Sequence, residues 1–215
     1  MFDNFNKLEI KKQKQILDGA MEEFSKYGYK KTSVEDIAKS AGISKSMVFY
    51  YFNTKLDLYN YLIIYSLDYI IKKYDNLYSE LKKLDYLERY SEIAKSKLIT
   101  LAEEKPLFNF SGSLYLDTDN IEMKEEALEL FNKVNNIFDS YQEIMNYEVK
   151  NSKLRTDIKK ENALQYINWV MDGFSNYMIN KYKDVPLGNA DYDLEWKKFD
   201  KIIEDLEKLF YKKGK

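Results

Sequence analysis

Apolar residues recur along this chain at helical spacing, three and four positions apart, and no stretch alternates for long enough to read as a strand. Leu17, Ala20, Met21, Phe24 and Tyr27 predict a first helix over about residues 6–27, stopped by Gly28. Two short helices follow. Ser33 is placed to cap the first, with Asp36 three residues on, where a carboxylate suits free amides and the helix dipole. Its apolar face is Ile37, Ala38 and Ala41. Gly42 ends it where the chain must turn sharply, because glycine reaches positive φ without a Cβ clash. Ser44 is placed to cap the second, in which Ser44, Met47, Val48 and Tyr51 share one face and Lys45, Ser46, Phe49 and Tyr50 the other. One face docks and the other is free to read a partner. The small Ala38 suits a close crossing of the pair.

Thr54 and Asp57 have the spacing of a capping box and open a long helix through Leu58, Leu62, Tyr65 and Tyr69 toward Leu81. A further helix spans about residues 84–104. Pro106 suits the first turn of a short aromatic one carrying Phe108, Phe110, Leu114 and Tyr115. Leu128, Phe131, Val134, Phe138, Tyr141 and Met145 stripe the segment 121–151. The helix over about 160–182 is apolar on several sides, with Tyr166 and Trp169 between the stripes, and so needs covering on several sides. Phe199, Ile202, Ile203, Leu206, Leu209 and Phe210 stripe the last one. The total is about nine helices, an all-α chain, in keeping with only 2 Pro and 7 Gly.

Composition narrows the chemistry. With 45% hydrophobic and 33% charged residues the chain is a folded globular protein, and 215 residues suffice for one or two domains. Neither a run of 18 apolar residues nor a signal-like start is present, so no membrane contact and a cytoplasmic location are expected. Zero Cys and zero His remove thiolate nucleophiles, Cys-ligated zinc and the commonest general base, so no enzyme, metal or cofactor is expected. Asp117, Thr118, Asp119 and Asn120 open like a calcium loop, but Glu122 and Leu128 stand where it needs Gly and Glu. The net charge of −2 divides unevenly: residues 1–60 carry 10 Lys against 8 Asp or Glu, leaving 24 basic and 28 acidic residues beyond. The basic excess lies beside the helix pair.

A closely packed helix pair that presents its second member outward fits a major groove about 12 Å wide. The run I-A-K-S-A-G-I-S-K-S-M-V-F-Y-Y-F-N-T-K-L-D-L, from Ile37 to Leu58, resembles the N-terminal domain of TetR-family transcriptional regulators. That pattern is close to T-x-x-x-I-A-x-x-A-G-V-S-x-x-x-[LIV]-Y-x-[HY]-F-x-x-K-x-x-L. Ile37, Ala38, Ala41, Gly42, Ser44, Val48, Tyr51, Phe52, Lys55 and Leu58 match it, and Phe49 departs from the usual Tyr. The resemblance covers about residues 8–60. It implies a three-helix DNA-binding domain over residues 1–53 and a larger helical effector-binding and dimerisation domain over 54–215. The expected partners are a double-stranded, near-palindromic operator, a second copy joined through the last two helices, and a small lipophilic or aromatic effector. Lys45 and Ser46 are then expected at base edges, Phe49 at a thymine methyl, Tyr51 and Lys55 at phosphates and Tyr50 at either, with Ser33 and Ser44 completing the DNA-facing set. Lys7, Lys11 and Lys14 form a basic stripe that the resemblance puts near the DNA backbone. Phe108, Tyr115, Phe138, Tyr141 and Trp169 are the expected effector-pocket walls. A helical interaction scaffold without DNA binding is the alternative, and it leaves the matched run unexplained.

Overall fold

The computed structural model describes residues 2–116, 123–146, 153–182, 185 and 190–212. The calcium-like stretch at 117–122 and both ends of the expected 121–151 segment fall outside them. The described residues form ten helices: α1 (Asp3–Asn6), α2 (Ile10–Lys31), α3 (Val34–Ser40), α4 (Lys45–Phe52), α5 (Lys55–Leu81), α6 (Tyr86–Glu103), α7 (Lys105–Leu116), α8 (Glu125–Asn146), α9 (Lys160–Tyr182) and α10 (Asp193–Phe210). Nine match the expected order, and α1 is the addition. The chain divides into two compact units, residues 1–76 with 100–140, and 77–99 with 141–215.

In the first unit the core side of α2, formed by Ile16, Leu17, Ala20, Met21 and Phe24, packs with Ile37, Val48, Phe52, Leu58 and Leu62. Helix α7 adds Leu107, Phe110 and Leu114 to this core, with the Phe110 ring edge-on to Tyr59 at 5.7 Å. The stops read from sequence hold: Gly28 has φ 71° and Gly42 φ 61°. A close helix approach that the pattern does not show lies at Gly19. A Cβ added to Gly19 would lie 2.6 Å from the backbone nitrogen of Ala41 and 2.8 Å from its Cα, so α2 and α3 touch backbone to backbone. Four residues are too few for a helical period, which is why α1 escapes the pattern. It is held by Phe5, wholly buried 4.7 Å from the Phe52 ring and 5.5 Å from Tyr61. Burying such a ring contributes about 1.5–3 kcal/mol.

Helix α5 opens as expected, with Thr54 Oγ1 accepting from the Asp57 N–H at 3.0 Å. Asn60 Oδ1 accepts from the Lys124 N–H at 2.6 Å and Asp57 pairs with the Lys124 ammonium, tying the start of α5 to the residues before α8. On α8, Ala127 and Val134 face the core, whereas Leu128, expected there, is exposed.

The second unit buries Leu87, Ala163, Ile167, Met171, Phe199, Ile203 and Leu206. A reciprocal box caps α6: Asp85 Oδ1 accepts from the Glu88 N–H at 3.2 Å and Glu88 Oε2 from the Asp85 N–H at 3.0 Å. Burial pushes the Asp85 carboxyl up, but the Tyr211 hydroxyl, donating at 2.6 Å, and the Lys153 ammonium outweigh it and hold the group below its ordinary value. Arg89, fully buried, donates its Nε–H to the Leu81 and Leu84 carbonyls, both at 3.0 Å, closing the end of α5. Between α9 and α10, the buried Glu195 accepts from the Lys181 ammonium, from Tyr177 at 3.1 Å and from Tyr182 at 2.8 Å. Among the described residues, α9 buries one side, with Ala163, Ile167 and Met171. Trp169 is 61% exposed and Ile179 62%, with Tyr166, Val170 and Tyr177 also open. Trp169, expected as an effector-pocket wall, projects from the uncovered side.

Candidate nucleic-acid interface

The interface is built from caps and one tight turn. Ser33 Oγ accepts from the Asp36 N–H at 3.1 Å and donates to its carboxylate at 2.6 Å, fixing the start of α3. Ser44 Oγ accepts from the Met47 N–H at 3.3 Å and lies 2.8 Å from Ser46 Oγ, fixing the start of α4. Gln15 of α2 donates to the Ala41 carbonyl at 2.8 Å, holding the turn between α3 and α4. Asn53 ends α4 in a γ-turn (φ 58°, ψ −54°), closed by the Thr54 N–H on the Phe52 carbonyl at 2.6 Å.

These constraints sort the eight residues of α4 by face. Val48 and Phe52 are buried; Lys45, Ser46, Phe49 and Tyr50 are exposed, the rings at 39% and 58%. The expected reading set is thus brought together on one outward face. Ser33 and Ser44 flank it as caps, their side-chain oxygens already used by backbone amides.

Two expected phosphate ligands are engaged within the domain. Tyr51 is only 8% exposed, edge-on to Phe5 at 6.0 Å, because the unforeseen α1 covers it. Lys55 donates to the Tyr29 and Thr32 carbonyls at 2.9 and 3.1 Å and sits 4.3 Å over the Tyr29 ring. Gly28 breaks α2 and leaves carbonyls at the negative end of its dipole, and this lysine answers them. Lys14 of the basic stripe likewise pairs with Glu104 and, at 3.7 Å, with Asp18. Sequence reasoning missed Glu35 of α3, which pairs with the Lys45 ammonium and whose carboxyl that pairing holds below its ordinary value. A carboxylate ten residues before the lysine was the available signal.

Among the effector-wall residues, Phe108 is half-buried on α7. The side chains of Tyr115, Phe138 and Tyr141 fall outside the described residues. No helix among the described residues is long and apolar enough to cross a membrane, and no group of metal-binding side chains occurs among them.

Two capped short helices in close contact, the second offering a polar and aromatic face to solvent, define a helix-turn-helix DNA-binding protein. Residues 16–62 match the family model described as "Bacterial regulatory proteins, tetR family". Residues 16–62 therefore carry a DNA-binding domain of the TetR family type, and the chain is a DNA-binding transcriptional regulator. It is 26% identical over 191 residues to the fatty acid metabolism regulator protein of Bacillus subtilis (strain 168), covering 85% of this chain and 93% of that protein. It is 32% identical over 69 residues to the biofilm operon icaADBC HTH-type negative transcriptional regulator IcaR of Staphylococcus epidermidis (strain ATCC 35984), a match of 30% of this chain and 37% of that protein. Among solved structures, a TetR family transcriptional regulator from Chloroflexus aurantiacus J-10-FL superposes with a TM-score of 0.60 at 18% identity, over 98% of each chain. A TetR-like transcriptional regulator from Rhodococcus sp. RHA1 gives 0.57 at 15%, over 94% of each. These likenesses show a shared helical fold.

Proposed function

We propose that the chain is a cytoplasmic, ligand-released repressor that binds a near-palindromic operator as a homodimer and catalyses no reaction. The observation that carries the DNA part is the division of α4, where Val48 and Phe52 are buried while Lys45, Ser46, Phe49 and Tyr50 stand clear. Lys45 and Ser46 meet base edges, Phe49 a thymine methyl, and Tyr50 a base or a phosphate. Residues 1–53 form the reading part and 54–215 the effector-binding and dimerising part. The uncovered side of α9, with Trp169 and Ile179, supports pairing with a second copy together with α10 as a four-helix bundle. Successive major grooves then place the two α4 helices about 34–36 Å apart.

Repression is supported by the staphylococcal relative, named a negative regulator, and a lipophilic effector by the Bacillus relative, named for fatty acid metabolism. Phe108, Tyr115, Phe138 and Tyr141 are the proposed pocket walls. The effector favours a spacing of recognition helices that no longer fits DNA, with a coupling of about 1–3 kcal/mol. The test titrates the protein against a duplex from immediately upstream of its coding region and against a scrambled duplex, at two salt concentrations. Tight, salt-sensitive binding to the first alone is expected. If neither that duplex nor any member of a random pool is preferred, the reading fails.

A further inference from the structure

Lys45 is the only cation among the eight residues of α4, and it occupies the first helical position, the end of a recognition helix that meets base edges. A lysine there has two uses in a groove. It contacts a phosphate, which is blind to sequence, or the O6 and N7 of a guanine, which is not. Its four-carbon stem is flexible, so something else must select between them. Glu35 is placed to do so. It stands in the first turn of α3, across the turn from α4, and its Oε1 takes the Lys45 ammonium. Both side chains are more than half exposed, at 51% and 62%, so the pair sits on the reading face and not in the core.

We infer that Glu35 is a specificity-determining residue, one that holds the Lys45 ammonium on the reading face and keeps it off the phosphate backbone. The inference rests on the DNA-reading function proposed above. An ammonium has three donors; one goes to Glu35 and two remain, enough for guanine O6 and N7. The carboxylate cannot approach a phosphate without like-charge repulsion, so the pair is unfit for backbone contact while it remains fit for a base edge. In sequence-blind complexes Lys45 stays neutralised and adds nothing.

The experiment selects a duplex from a random pool with the wild-type chain. It then measures affinities for that duplex and a scrambled one, over a salt series, for wild type, Glu35→Gln, Lys45→Ala and the double variant. Circular dichroism confirms that each variant is folded. In Glu35→Gln the freed lysine gains a phosphate, steepening the scrambled-duplex salt slope by about 0.9 and raising that affinity by about eightfold near 0.1 M salt. Affinity for the selected duplex rises by less, so the specificity ratio narrows. In the Lys45→Ala background the same change leaves the ratio unaltered. Equal gains on both duplexes, an unchanged slope, or an effect that persists without Lys45 overturns the inference while leaving DNA reading intact. A wild-type chain that enriches no sequence overturns both.

Discussion

A single methyl group tests whether α2 and α3 are held backbone to backbone. Gly19 lies inside α2, where replacing glycine by alanine ordinarily stabilises a helix by about 1 kcal/mol. Here the added Cβ would fall 2.6 Å from Ala41 N and 2.8 Å from Ala41 Cα and Ser40 C. All three are backbone atoms and none can rotate away. Ordinary carbon contacts begin at about 3.5 Å, so α3 must retreat by roughly 0.7–0.9 Å. Overpacking of this kind costs about 1–3 kcal/mol, which outweighs the propensity gain. Gly19→Ala should therefore destabilise by about 1–2 kcal/mol net. Gly173 in α9 is the internal control, because nothing lies within 4 Å of its added Cβ. Gly173→Ala should stabilise by up to about 1 kcal/mol. Urea denaturation followed by circular dichroism measures both. Because α3 carries the turn that aims α4, Gly19→Ala should also weaken operator binding beyond its loss of stability. Gly19→Ala matching or exceeding wild type in stability would refute the close approach.

Lys55→Met should lower stability by about 1–2 kcal/mol, since the Tyr29 and Thr32 carbonyls lose a charged donor. The salt slope of DNA binding should stay unchanged, and a slope shallower by about one would restore Lys55 as a phosphate ligand. Asn53→Gly should stabilise by about 1 kcal/mol, because relief of a strained φ, about 1–3 kcal/mol, exceeds the added chain entropy; a destabilised variant in thermal melts would show the side chain to be needed. The Lys181 ammonium, with help from Tyr182 and Tyr177, draws the Glu195 carboxyl from 4.5 down to about 2, against its burial. The stabilisation this gives is complete above pH 4.5 and is lost as pH falls toward 2, since only the unfolded chain takes up the proton in that window. Denaturation at several acidic pH values should show a shallower decline for Glu195→Gln, and parallel declines would contradict this account. Trp169→Asp should convert a dimer to monomers in sedimentation velocity, whereas an unchanged dimer would exclude the open side of α9 from the interface.

What was legible in the sequence follows from the range over which each feature acts. The caps at Ser33, Ser44 and Thr54 involve partners three residues away, and the stops at Gly28 and Gly42 depend on φ alone, so a local reading finds them. The two faces of α4 follow from helical period and were legible for the same reason. Gly19 looks in sequence like a propensity defect, because what makes glycine necessary is a backbone 22 residues away. Lys55 sits at a position the resemblance assigns to a phosphate, yet its acceptors are 26 and 23 residues upstream. Helix α1 is shorter than any period, so its cover over Tyr51 is not legible in the pattern.

Helix α9 shows how far a pattern reaches toward a role. Its apolar residues surround the helix, and the inference that several sides need covering is sound. Periodicity does not say what does the covering. Ala163, Ile167 and Met171 are buried in their own unit's core, while Trp169, Val170 and Ile179 stand exposed. An apolar face left open in this way marks an interaction surface, and an aromatic ring at its centre is the residue type that anchors one. The exposure of Trp169 is what the proposed pairing of α9 with a second copy would use.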